Sequence, residues 1–169
     1  MKCSKMAKKE YRKPSTANRA VFANMDSMMP IIEERLASGQ SVELSPRGIS
    51  MLPLIREGQD SVILSPVGER LKRYDLPLYK RENGGYVLHR VVKACDGVYT
   101  MAGDNQYVYE TGIKHSQIIA VVTAIRRGGR LIDAESPLYR FYAMAWHRSR
   151  GARYFIFRVK RKLKRIFKK

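Results

Sequence analysis

Six short β-like runs follow one another between residues 42 and 125, and turn signals separate them. The runs are VEL at 42–44, SVIL at 61–64, LPLYK at 76–80, YVLHRVVK at 86–93, VYTMAG at 98–103 and IIAVVTAI at 118–125. Glu57-Gly58, Asn83-Gly84-Gly85, Asp96-Gly97 and Gly128-Gly129 supply the breaks. Residues of these types reach the backbone angles that tight turns require. Runs this short and this regularly punctuated predict a mostly β core built from hairpins. Helical patterns are confined to the two ends. DSMMPIIEERLAS at 26–38 predicts a short helix, capped by Asp26 or Ser27, with Pro30 in its first turn and Gly39 closing it. From Pro137 onward the pattern is helical again, first LYRFYAMAW at 138–146 and then RYFIFRVKRKLKRIFKK at 153–169.

Charge divides the chain at the same places. Residues 1–19 carry a net +6, residues 20–135 are neutral and residues 136–169 carry +12 without a single acid. A neutral middle argues against a nucleic-acid-binding core, and the basic ends are suited to an anionic surface. The expected organisation is a basic disordered tail at 1–24, a β domain at 25–135 and a basic amphipathic helical tail at 136–169. Cys3 and Cys95 are too few for a disulfide framework and read as reduced thiols. No run approaches the roughly 20 apolar residues that a membrane span needs, and no export signal is visible at the start of the sequence.

Three stretches carry the chemistry. GISMLP at 48–53 holds Ser50, YVLHRVV at 86–92 holds His89, and AGDNQ at 102–106 holds Asp104. Each alone has an ordinary reading: a serine beside a proline, a core histidine between valines, a tight turn. In this order they resemble the signal peptidase I type of serine peptidase, in the branch where histidine replaces the usual lysine. REGQDSVIL at 56–64 and QIIAVVTAI at 117–125 are similar to the segments that follow the serine motif and the G-D-N turn in that family. The resemblance covers roughly residues 40–130 and implies a signal-peptidase-like β fold.

It also implies a mechanism. Ser50 is the expected nucleophile, His89 the general base and Asp104 the acid that orients the imidazole. Gly48, Met51, Pro53, Asn105 and Glu110 are the expected supporting residues. The sequence departs from the family pattern in three ways. Glu110 stands where a second aspartate is usual. Gly48 stands where a serine hydroxyl often helps bind the oxyanion, leaving backbone N–H groups such as that of Ser50 for the task. The family's N-terminal anchor has no counterpart here. Lys93 lies on the strand of His89, on the same face by alternation, and is the weaker alternative base.

The implied activity is cleavage of a peptide bond, such as that of a leader peptide, through an acyl-enzyme, with no cofactor or metal. The alternative is an inactive relative that binds peptides along a strand edge. A repressor-type autopeptidase shares the fold but needs a DNA-binding domain, and the residues ahead of Val42 are too few for one. The expected location is cytoplasmic, peripheral at the inner face of a membrane. The C-terminal helix would supply the contact, with Phe155 on its apolar side and Lys160, Arg161, Lys162, Lys164 and Arg165 facing anionic lipid.

Overall fold

The computed structural model describes residues 19–155 and Arg158. Its architecture is mostly β. Among the described residues nine strands form two antiparallel sheets, flanked by the helices α1 (Arg19–Ala37) and α2 (Pro137–Arg148). The strands are β1 (Val42–Leu44), β2 (Asp60–Ser65), β3 (Pro77–Lys80), β4 (Tyr86–Leu88), β5 (Arg90–Cys95), β6 (Val98–Ala102), β7 (Glu110–Lys114), β8 (Ile118–Arg127) and β9 (Arg130–Asp133). The larger sheet runs β1-β2-β8-β3-β4, and the smaller runs β5-β6-β7. β8 is the backbone of the larger sheet. It pairs with β2 along one edge and shares the other between β3 and β9.

The predicted β runs all fall on strands. Their burial shows why. Along β8, Ile118, Ala120, Val122 and Ala124 are buried while the residues between them are not, the period-two pattern of a sheet with one face on a core. β3 differs, being buried on both faces. Leu78 enters a cluster with Met29, Ile32, Val62, Leu64 and Val122, whereas Tyr79 enters a second with Val91, Tyr99, Met101 and Ile113. That double burial is the reason LPLY reads as an unbroken apolar run.

Several boundaries differ from expectation. The N-terminal helix starts at Arg19 rather than Asp26, inside the stretch expected to be a disordered tail. Residues 19–25 include good helix formers, and these extend the helix upstream. Pro30 therefore stands inside the helix, where it withholds one N–H from the ladder. Gly39 does end it. Its φ of 78° lets Gln40 N–H reach back to the Arg35 carbonyl at 3.0 Å. Two strands escaped the sequence reading: β7 has a single buried residue, Ile113, and β9 is almost wholly exposed. Neither makes an apolar run.

The segment from residue 136 was expected to be a tail. Its first part is packed on the domain: Tyr139 and Ala143 of α2 are buried, and Tyr139 belongs to the larger core cluster. Ser136 caps α2 by accepting from Tyr139 N–H at 3.4 Å, with Pro137 at the first helical position. Helical structure continues to Phe155, and Lys160, Arg161, Lys162, Lys164 and Arg165 lie outside the described residues, as does Cys3. Among the described residues no helix is long and apolar enough to cross a membrane.

The β1–β2 connection is pinned by one buried carboxylate. Asp60 accepts from Arg56 N–H at 2.9 Å and from the Arg56 and Arg127 guanidinium groups. Arg127 also donates to the Leu54 carbonyl, tying the loop to the end of β8. The hydrogen bonds from Arg56, reinforced by Arg127, hold the Asp60 carboxyl well below the usual range. Asp60→Ala frees two arginines that can turn to water, since their side chains are 42% and 34% exposed. The expected loss is about 1–3 kcal/mol in urea unfolding. A loss indistinguishable from zero would show that the loop is held by its apolar residues alone.

Candidate active site

Ser50 sits in the β1–β2 connection, in a turn whose shape begins at Gly48. Gly48 holds φ 95°, which residues with a side chain rarely adopt. Met51, Leu54 and Ile55 anchor the loop in the larger core cluster, while Ile49 and Pro53 face solvent. Ser50 is half-buried between these anchors. Its N–H has no partner among the described residues, so it is available to an oxyanion.

The G-D-N turn holds the serine from below. Asn105 N–H donates to the Ser50 carbonyl at 2.8 Å, and Asn105 Nδ2 donates to the Ile49 carbonyl at 3.1 Å. Gly103 is pressed against the same place: a Cβ there would lie 2.8 Å from the Ser50 carbonyl oxygen. Glycine is needed at 103 for this close approach and not for an unusual backbone angle.

His89 lies where the chain leaves one sheet for the other. The run 86–93, predicted as one strand, is two strands. β4 pairs with β3 in the larger sheet, β5 pairs with β6 in the smaller, and His89 is the residue between. The β5–β6 ladder pairs Arg90 with Ala102, so His89 and Gly103 are the next residues on the two chains. Gly103 thus has Ser50 packed on it, and like His89 it lies one residue past the end of the ladder. No hydrogen bond joins Ser50 Oγ to His89 among the described residues. Lys93 lies beyond a bulge that shifts the register between Val91 and Lys93, and it is exposed. The bulge breaks the alternation that had put it on the histidine's face.

The acid beside His89 is Glu110, not Asp104. Glu110 Oε1 is 3.0 Å from His89 Nδ1, at the start of β7. Arg81, at the corner of the β3–β4 hairpin, grips the same carboxylate with two bonds of 2.7 and 2.5 Å. Burial opposes ionisation of Glu110, but the hydrogen bonds from His89 and Arg81 outweigh it and bring the carboxyl down to about 2. An ionised carboxylate can only accept. In the neutral imidazole that donates Nδ1–H to this carboxylate, Nε2 is the nitrogen that keeps a lone pair. The Tyr79 hydroxyl lies 3.4 Å from the same nitrogen.

Asp104 has a different partner. Arg90 donates to both of its oxygens, at 2.8 and 2.7 Å, and the two side chains are 1% and 4% exposed. The remaining guanidinium donor, Nη1, reaches the Tyr74 carbonyl at 2.9 Å and the Tyr139 hydroxyl at 3.2 Å. The physical reason for the exchange of acids is this arginine. It is buried next to the turn, cannot lose its charge, and takes the nearest carboxylate in a bidentate grip. α2 supports the same turn from outside. Trp146 Nε1 donates to the Asp104 carbonyl at 3.0 Å, and Arg150 donates to that of Gln106. Arg81, Arg90, Gly103 and Trp146 were not singled out by the sequence. A usable signal was present for Arg90, a charged residue inside a valine-rich run that must be paired if buried.

A scan against protein-family models and a search of curated proteins both find no match for this chain. Among the described residues no cluster of histidine, cysteine and carboxylate side chains could hold a metal ion.

Two measurements test the assignment of the acids. Asp104→Ala strands Arg90 without its carboxylate and is expected to cost about 3–5 kcal/mol, more than Asp60→Ala; an equal or smaller cost would contradict the buried pairing. Glu110 is the pH-sensitive member. Its folded pKa lies below its ordinary value of 4.5, so its contribution is full above about 4.5 and is lost as pH falls toward about 2. In that window wild type should lose more stability than Glu110→Gln, as followed by unfolding at a series of pH values. Parallel curves would show that the carboxylate is not held as described.

Proposed function

We propose that the chain is a serine endopeptidase resembling signal peptidase I, acting through Ser50, His89 and Glu110. The observation that supports this reading is the contact between Glu110 and His89. Glu110 Oε1 lies 3.0 Å from His89 Nδ1, and in the neutral imidazole that donates from Nδ1 the Nε2 keeps its lone pair; His89 and Gly103, the glycine on which Ser50 is packed, each follow directly on the last pair of the β5–β6 ladder. In that tautomer histidine can take the serine proton as the hydroxyl attacks a peptide carbonyl. The oxyanion that forms would be met by the Ser50 N–H, since Gly48 has no hydroxyl to add. The imidazolium then gives its proton to the leaving amine, and water repeats the cycle on the acyl-enzyme. The imidazolium is stabilised by Glu110, whose charge is shared with Arg81. Asp104 acts at one remove: with Arg90 it fixes the turn that carries Gly103 and Asn105 under the serine.

The test is cleavage of a peptide library by wild type and variants. Ser50→Ala and His89→Ala should abolish cleavage. Glu110→Gln should lower kcat by about 10²–10⁴-fold, the scale of general-base assistance, and Asp104→Asn should act mainly through stability. Gly103→Ala should lower kcat by displacing the Ser50 backbone while the fold persists. Cleavage that survives Ser50→Ala would remove the serine from the mechanism. Peptide binding without cleavage in wild type would assign the site to a silent peptide-binding relative instead.

A further inference from the structure

α2 and its continuation to Phe155 have an unusual exterior. Tyr139, Ala143 and Arg150 are buried on the side facing the domain. The opposite side should then be polar. It instead carries Leu138, Phe141 and Phe155, with exposures of 80%, 62% and 68%. Along α2, positions 138, 141, 145 and 148 follow helical spacing and hold Leu, Phe, Ala and Arg; beyond the turn at Ser149 the helical residues 150–155 add Phe155. A helix apolar on both sides is normally covered on both.

The surroundings indicate what covers it. The loop before β3 runs alongside α2, and Lys72, Arg73, Tyr74, Arg140, Phe141 and Met144 line a shallow open groove of about 460 Å³. Arg140 is engaged with Asp75 and Glu135, at 3.3 and 3.6 Å. Lys72, Arg73 and Arg148 form no ion pair among the described residues. From residue 136 to the end the sequence has no acid. Exposed Phe141 beside Lys72 and Arg73, on a helix that also exposes Leu138 and Arg148, matches an anionic bilayer leaflet, with acyl chains meeting the apolar side chains and headgroups meeting the lysine and arginines.

We propose that the outer face of α2, together with the Lys72–Arg73 loop, is a membrane-docking surface for anionic lipid. The surface begins within the folded domain at Leu138, well ahead of the basic stretch at 153–169. It stands independently of the peptidase reading, because none of its residues belongs to the Ser50–His89–Glu110 set.

The test is co-sedimentation of the full chain with vesicles of phosphatidylcholine, with and without phosphatidylglycerol. Wild type should pellet with the mixed vesicles and little with phosphatidylcholine alone. A Leu138→Glu, Phe141→Glu double variant, made at two exposed positions and checked for an unchanged melting temperature, should lower the partition coefficient by about tenfold or more. Lys72→Glu with Arg73→Glu should weaken binding to the mixed vesicles only. Unchanged binding by the Leu138→Glu, Phe141→Glu variant would overturn the proposal and leave the attachment to residues beyond α2. A wild-type dimer in sedimentation equilibrium that this variant converts to monomer would also overturn it, assigning the face to a second copy of the chain.

Discussion

The buried pair of Arg90 and Asp104 is the constraint around which the rest is arranged. A guanidinium this deep must be paired and hydrogen-bonded, and its four hydrogen bonds reach three different parts of the chain. Asp104 brings the turn after β6, Tyr74 the loop before β3, and Tyr139 the second helix. Tyr74 holds φ 79°, a backbone state costly for a residue with a side chain, and its carbonyl is one of those partners. Burial disfavours the arginine's charge, yet Asp104 more than restores it, so its pKa is raised. A lysine could not replace it, since one ammonium cannot span three elements in a plane.

That arrangement gives the two acids separate duties. Asp104, the residue in the recognisable turn, holds the framework. Glu110, at the start of β7, holds the histidine. The longer side chain is suited to its position, reaching from the first residue of β7 to both His89 and Arg81. The exchange illustrates why a motif assigns a residue type more securely than a role.

How much was legible depended on whether a residue's duty was local. Every apolar run that faces a core read as a strand, and Gly39, Pro137 and the turn glycines read correctly because capping and turn chemistry are local. The break at His89 did not read, because YVLHRVVK is a continuous β pattern and the transfer between sheets is decided by which neighbours each half finds. β9 did not read because an exposed edge strand needs no apolar residues. The packing of α2 was hidden by its composition: basic and aromatic residues look like a tail until Tyr139 is seen to accept from the buried Arg90 and Trp146 to hold the carbonyl of a distant turn. Ser50 and His89 were visible through their motifs. Arg81 was not, since a hairpin-corner arginine acquires its meaning only from a carboxylate 29 residues away.

The position of His89 between the two sheets has a consequence for the order in which the protein comes into being. Ser50 and Arg81 are carried by the larger sheet and its connections, Glu110 by the smaller one. Neither half holds a complete set. A ribosome must have delivered residue 110 before the histidine has its carboxylate, and α2 before the turn beneath the serine is braced. The constellation around His89 is therefore a late product of synthesis, absent from every chain too short to include both sheets and α2.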